Sequence, residues 1–289
     1  MPVPISSLSN KQIKQVVKLN TRRARSKHKL TLVEGIREIS QALENGVQPC
    51  QIYYCPHLIQ NPKAKALLTQ FLNNEANASY SLYEVTPQIF QKIAYRGESG
   101  GLLLVIPYSS LQLEELILGN PPFIVIIENV EKPGNLGGIL RTADAAGADC
   151  VIVCFEEKQP NIDIYNPNVI RASLGALFSV PTVAVENGRL LKWLSQNKIK
   201  IITTTPTAPH PYTTADLTGA IAIVMGSEAH GLSQTWLNAK HNQVTIPMFG
   251  KVDSLNLSVS TGLLLYEVIR QRTQPVKQAK TVHRNQQLG

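Results

Sequence analysis

The sequence predicts an α/β protein made of two successive α/β units, the second built on a parallel sheet. Three observations carry this. Short apolar runs alternate with amphipathic stretches of helical spacing along most of the chain. The alternation breaks once, at PYSSLQLEELILGNPP (107–122), whose prolines and polarity mark a connection. After it, runs such as FIVIIENV are largely apolar and rich in β-branched residues, as strands covered on both faces are. With 289 residues, 43% of them hydrophobic, there is apolar material for two cores.

Residues 7–20 set Leu8, Ile13, Val16, Val17 and Leu19 among lysines, the spacing of an amphipathic helix. A basic stretch follows, then an apolar run and a helix within LTLVEGIREISQALENG that stops near Gly46. QIYYC reads as a strand, NPKAKALLTQFLNN as a helix, SYSLYEV as a strand, TPQIFQKIA as a helix and GGLLLVI as a strand. This bounds a first domain at 1–107 and a linker at 108–122. From Phe123 the expected order is FIVIIENV strand, NLGGILRTADAAGA helix, DCVIVCF strand, NVIRASLGALF helix, PTVAV strand, GRLLKWLSQN helix and KIKIITTT strand. AIAIVM (strand), SQTWLNAK (short helix), QVTIP (strand) and a final helix over 256–271 complete a second domain at 123–274. That last helix is apolar almost all round, through Leu257, Val259, Leu263, Leu264, Leu265, Val268 and Ile269. It is therefore expected to be buried on most faces. The polar tail, 275–289, is expected to be disordered.

The net charge of +8 is unevenly placed. Residues 1–29 hold Lys11, Lys14, Lys18, Arg22, Arg23, Arg25, Lys27 and Lys29 and no acid, while the other 20 Lys/Arg balance 20 Asp/Glu. A one-signed cluster opening a folded domain is the footprint of a polyanion binder, and a nucleic acid is the expected partner. Arg22, Arg23, Arg25, Lys27 and Lys29 are the candidate phosphate contacts; a solvated, solubilising face is the competing reading. No apolar run reaches membrane-spanning length, and the first 20 residues lack a signal-peptide core, so a cytoplasmic protein is expected. Cys50, Cys55, Cys150 and Cys154 form no CxxC, and the six histidines show no ligand spacing. Core thiols and no metal are expected.

Three loops at strand ends concentrate polar and small residues. The first, ENVEKPGNLGGILRTADAAGAD (128–149), places Asn135 at a helix start and Arg141 six residues on. On one helix that spacing separates them by about 240°, so they meet only if Asn135 still belongs to the loop. An ordinary cap with a surface arginine is the alternative. The second, IVMGSEAHGLS (223–233), nearly spells a phosphate-binding loop, but Leu232 stands where that motif needs lysine. Its glycines permit close approach of a ligand to the backbone, with Glu228 and His230 either functional or merely solvated. The third, GKVDSLNLSVSTG (250–262), enters the final helix through Asp253, Ser254, Asn256 and Ser258, although a cap needs only one such residue. Either the rest are redundant or the loop binds something.

In order and spacing, NLGGILRTADAAGAD, IVMGSEAHGLS and IPMFGKVDSLNLSVSTGLLLYE resemble the three motifs of the SPOUT superfamily, specifically the TrmH-like (SpoU) RNA ribose 2′-O-methyltransferases. The resemblance covers about 123–272. TLVEG (31–35) is similar to the start of the ribosomal-protein-like α/β domain by which many of these enzymes bind substrate. TTTPTA (203–208) looks most like the thiostrepton- and avilamycin-resistance branch.

The resemblance implies a deep C-terminal trefoil knot, a homodimer formed through the knotted domains, and S-adenosylmethionine as cofactor. Gly226, Ile246 and Leu255 would bind its adenosyl part through their backbones. Arg141 would be the essential arginine, held by Asn135. Glu228 would orient Asn135 or its loop, and Ser254 and Asn256 would face the ribose or its phosphate. A guanidinium keeps its proton, which favours an electrostatic clamp; a role as base, assisted by phosphate, stays open for the family. Arg171 is a candidate RNA or dimer contact, with a structural role as the equal alternative. Methylation of a ribose 2′-hydroxyl in structured RNA, foremost 23S ribosomal RNA, is the implied activity. A tRNA methyltransferase, acting on ribose or base, and a non-catalytic RNA-binding protein on the same fold are the alternatives.

Overall fold

The computed structural model describes residues 2–75, 79–95, 100–156, 162–238 and 242–273. The tail expected to be disordered lies outside them. The first unit is a five-stranded sheet of β1 (Val3–Ile5), β2 (Leu30–Glu34), β3 (Gln51–Tyr54), β4 (Ser81–Val85) and β5 (Leu102–Pro107), in the order β1-β4-β3-β5-β2. β1, β4 and β3 run parallel, and β5 is antiparallel to β3 and β2. Side chains alternate along each strand, so both faces are apolar. Leu32, Tyr53, Tyr83, Leu103 and Val105 pack on α1 (Lys11–Lys18) and α5 (Pro87–Ile93) through Ile13, Val16, Ile89 and Phe90. Val33, Ile52, Tyr54, Leu82 and Leu104 meet α3 (Ile36–Glu44) and α4 (Pro62–Asn74) through Ile39 and Phe71. The basic stretch contains a helix, α2 (Arg22–His28), capped by Thr21 Oγ1, which accepts from the Ala24 N–H at 3.4 Å. With one Ala and no larger apolar residue in RRARSKH, it has no stripe by which periodicity reveals a helix.

The second unit is a six-stranded, wholly parallel sheet, in the order β11-β9-β10-β6-β7-β8. Its strands are β6 (Phe123–Glu128), β7 (Cys150–Phe155), β8 (Thr182–Glu186), β9 (Lys200–Thr204), β10 (Ile221–Met225) and β11 (Asn242–Val244). The helices are α6 (Pro133–Ala146), α7 (Pro167–Ala172), α8 (Asn187–Gln196), α9 (Gln234–Leu237) and α10 (Leu257–Thr273). Cys150 and Cys154 lie with Ile124, Ile126 and Ile152 in one buried face, and the four cysteines are unpaired.

Two helices differ from expectation. The run expected as one helix over NVIRASLGALF stops at Ala172, because Leu174 (φ 55°) and Gly175 (φ 86°) turn left-handed before a 3₁₀ turn at Ala176–Phe178. The final helix is not covered on most faces. Leu257, Leu264, Leu265 and Val268 are buried against the molecule, whereas Val259 and Tyr266 are more than half exposed and Leu263 is 39% exposed. Residues 259, 263 and 266 follow the i, i+4, i+7 spacing of one stripe.

The segment 108–122 is packed rather than free: Leu113 is buried in the second unit, with Leu111, Leu116 and Leu118 against the same cluster. The two units also meet directly. Thr31 Oγ1 donates to the Tyr165 carbonyl at 2.6 Å, and the Tyr108 and Tyr165 rings stack at 4.1 Å. Arg25, expected as an RNA contact, is instead 2% exposed and ion-paired to Asp163 at 2.7 Å across this junction. A cluster read from sequence as one charged face thus contains one interior strut.

Candidate active site

Because every strand of the second sheet points the same way, the loops after β6, β10 and β11 leave its same edge, where parallel sheets bind ligands. At the first loop, Pro133 opens α6 and holds Lys132 extended (φ −87°, ψ 121°). The Lys132 carbonyl accepts from the Asn135 N–H at 3.0 Å and the Leu136 N–H at 3.2 Å. Asn135 is therefore inside the first helical turn, 9% exposed, and not in the loop. The expectation that it holds Arg141 fails for that reason: the two point about 120° apart around the helix.

The rest of α6 explains where Arg141 stands. A Cβ on Gly137 would lie 2.4 Å from the Ala172 Cβ, so this line of α6 presses on α7. Gly138 faces Ser258 and Thr142 faces Gly262, so the neighbouring line presses on α10. At about 100° per residue, Arg141 falls between these lines, on the ridge flanked by α7 and α10. It is exposed and makes no hydrogen bond among the described residues.

At the second loop, Ser227 and Gly231 exchange main-chain hydrogen bonds, both 3.0 Å. The turn is so tight that a Cβ on Gly226 would sit 2.1 Å from the Gly231 carbonyl carbon. Its far end is anchored by Glu128, a fully buried acid at the end of β6. Glu128 accepts from the Ser233 N–H and hydroxyl, both at 2.7 Å, and from Asn187 Nδ2 at 2.6 Å. Sequence reasoning missed Glu128; its one signal was a lone acid closing an apolar strand.

The third loop joins the first two. Asn256 caps α10 with its oxygen, accepting from the Ser258 N–H at 3.0 Å and hydroxyl at 2.6 Å. Its amide nitrogen then donates to Asn135 Oδ1 at 3.1 Å and Glu228 Oε1 at 3.0 Å. Lys132 Nζ donates to Glu228 Oε2 at 2.5 Å, a contact the sequence did not suggest. The Lys132 hydrogen bond is the main reason the Glu228 carboxyl is held below its ordinary range; partial burial opposes it, and Asn135 and the Leu257 N–H assist. Of the expected site residues, Asn135, Glu228 and Asn256 thus converge. Ser254 is exposed and donates to Asp253 Oδ1 at 3.2 Å, without a bond to that cluster.

The cleft among Val130, Lys132, Asn135, Ser227, Glu228 and Leu257 holds only about 70 Å³. Ligand pockets run to about 300 Å³ or more, so the cluster is a support and not itself a ligand cavity. The peptide groups of Gly226, Ile246 and Leu255 make no hydrogen bond among the described residues. These groups lie just after β10, just after β11 and just before α10, free to meet the polar edge of a ligand. Arg22, Arg23, Lys27 and Lys29 are exposed on the first unit. The described residues include no cluster able to hold a metal ion and no helix long and apolar enough to cross a membrane.

Comparison with known proteins decides what this arrangement is. Residues 122–266 match the SpoU rRNA methylase family. The chain belongs to that family. Residues 10–103 match the MRM3-like substrate binding domain, so the SpoU protein carries a substrate-binding domain ahead of its methylase domain. The 23S rRNA (guanosine-2′-O-)-methyltransferase RlmB of Ralstonia nicotianae is 40% identical over 57% of this chain and 66% of its own length. A crystallised RNA 2′-O ribose methyltransferase is 37% identical with a TM-score of 0.79, covering 93% of this chain and 99% of that one. AviRb of Streptomyces viridochromogenes, crystallised with S-adenosylmethionine, is 27% identical with a TM-score of 0.80, over 91% of this chain and 99% of its own. The SpoU protein described here is an RNA methyltransferase that uses S-adenosylmethionine.

Proposed function

We propose that the protein methylates the ribose 2′-hydroxyl of a guanosine in 23S ribosomal RNA. The observation that carries this is the convergence of Asn135, at the start of α6, with Glu228 and Asn256 from the second and third loops; the same helix carries the exposed Arg141. The named activity of the Ralstonia relative, 40% identical over 57% of this chain, supplies the nucleoside. S-adenosylmethionine supplies an electrophilic methyl group. The unpaired peptide groups of Gly226, Ile246 and Leu255 bind its adenosyl part, and a fixed geometry then removes much of the entropic barrier. Arg141, a permanent cation, grips the phosphate next to the target ribose and stabilises negative charge growing on the 2′-oxygen. Glu228, anionic and engaged with Lys132 and Asn256, is a poor proton acceptor, and its task is to hold the loops in register. Asn135 serves the same support. Ser254, exposed on the same loop, contacts the ribose or phosphate.

The first domain, 1–107, presents Arg22, Arg23, Lys27 and Lys29 to RNA phosphates, and 108–122 fixes it to the methylase domain. The stripe of Val259, Leu263 and Tyr266 supports a homodimer through the knotted domain, since water-exposed apolar stripes mark partner surfaces. The trefoil knot and a cytoplasmic location belong to the same reading. Incubating the protein with methyl-labelled S-adenosylmethionine and unmethylated 23S rRNA, then digesting to nucleosides, tests it. A labelled 2′-O-methylguanosine is expected; label on a base, in tRNA only, or nowhere would overturn it.

A further inference from the structure

Lys132 is outside the set of residues that the sequence singled out, yet it joins the first loop to the second. We propose that Lys132 is a positioning residue for methyl transfer, setting the Glu228 carboxylate and, through it, the Asn256 amide. The proposal rests on the methyltransferase reading above.

The lysine is fixed at its base. Pro133 restricts it to extended backbone, and its carbonyl takes the first two helical N–H bonds of α6. Its side chain crosses to Glu228 Oε2, while Glu228 Oε1 takes Asn256 Nδ2 and, at 3.5 Å, the Leu257 N–H. The carboxylate thus gives one oxygen to the first loop and the other to the third. A glutamate's terminal torsion is broad and two-fold, so nothing intrinsic chooses this orientation. The ammonium on one oxygen chooses it. Asn256 in turn has its oxygen fixed by Ser258 and its nitrogen shared by Glu228 and Asn135. Displacing the carboxylate removes one of the two acceptors that hold the amide.

Exposure separates this role from a folding role. The Lys132 side chain is 70% exposed and that of Glu228 is 26% exposed, and pairs so exposed add little to folding stability. Small displacements of reacting groups, by contrast, cost about 100-fold in rate. Losing Lys132 should therefore be felt in turnover and hardly in unfolding.

The test is a double-mutant cycle in the full-length protein, with labelled S-adenosylmethionine and 23S rRNA. Lys132→Gln is expected to lower kcat about 10- to 100-fold with KM for RNA changed less than about 3-fold. Its Tm is expected to stay within about 2 °C of the parent. Lys132→Arg should recover most of the rate. Lys132→Gln with Glu228→Gln should be no slower than Glu228→Gln alone, because both act through one carboxylate. Additive losses, or a raised KM with kcat intact, would overturn the proposal, the latter pointing to a phosphate contact. A second readout needs no turnover: the Asn256 side-chain amide signals in nitrogen-15 NMR, assigned with Asn256→Asp. They should shift in Lys132→Gln, and unshifted signals refute the positioning. A parent protein that transfers no methyl counts against the methyltransferase reading alone, and the amide signals then decide about Lys132.

Discussion

Replacing Arg25 with Ala separates a structural arginine from the exposed ones proposed to meet RNA beside it. The Arg25 guanidinium is 2% exposed; Nε and Nη2 donate to Asp163 Oδ2 at 2.9 and 2.7 Å, and Nη1 donates to the Leu19 carbonyl at 2.7 Å. Truncation strips the ion-pair partner from a carboxylate that is itself only 11% exposed, and it leaves the Leu19 carbonyl without that donor. Removing one member of a buried pair costs about 3–5 kcal/mol. The lower end applies, because Asp163 Oδ1 keeps its bond from the Tyr165 N–H. At about 2–4 °C per kcal/mol, Tm should fall by at least about 6 °C. Circular dichroism melts, run beside filter binding of 23S rRNA across a salt series, measure both effects. Arg23→Ala, at an exposed site, should leave Tm unchanged and reduce the salt slope of log K by about 0.7–0.9. If Arg25→Ala keeps its Tm and loses salt slope as Arg23→Ala does, the buried ion pair is not what holds the junction.

Other outcomes follow from the same geometry. Gly226→Ala forces a methyl group to within 2.1 Å of the Gly231 backbone, so the second loop must open; calorimetric titration should show S-adenosylmethionine affinity falling at least about 10-fold. Glu228 has its carboxyl pKa held below 4.5 by Lys132, so its contribution to stability is complete above that value and is lost as pH falls through the lowered one. Urea midpoints should therefore show no Glu228-dependent change from pH 6 to 9, and the difference between parent and Glu228→Gln should shrink only as the pH falls from about 5 downward. Leu263→Glu puts a charge into the exposed stripe of α10, and sedimentation should show the proposed dimer converted to monomer.

Both units were legible wherever apolar periodicity ran long. The strands from QIYYC to AIAIVM needed no tertiary information, and of the helices between them only NVIRASLGALF was read too long. β1 was missed because three residues, Val3–Ile5, show no period, and α2 because RRARSKH has almost nothing apolar. Residues 1–29 therefore supply Ile5, Ile13, Val16 and Leu19 to the first core as well as charge, so deleting them tests folding more than electrostatics. The apolar character of α10 was read correctly and its burial was not. A sequence does not distinguish a face covered by its own chain from one left for a partner. In the site, Asn135, Glu228 and Asn256 came from motif resemblance. Glu128 and Lys132 did not, since a charged residue beside a loop has no signature until its partner across the sheet edge is placed.

The direct test of the central claim is the Arg141→Ala protein, assayed for methyl transfer to 23S rRNA and titrated calorimetrically with S-adenosylmethionine. Arg141 is exposed on the ridge between α7 and α10 and bonds to none of the residues that support the loops. Transfer should fall by at least about 100-fold while cofactor affinity stays within about 3-fold of the parent. Transfer at the parent rate, or a cofactor affinity that collapses together with it, would contradict the assignment of Arg141 to the reacting ribose.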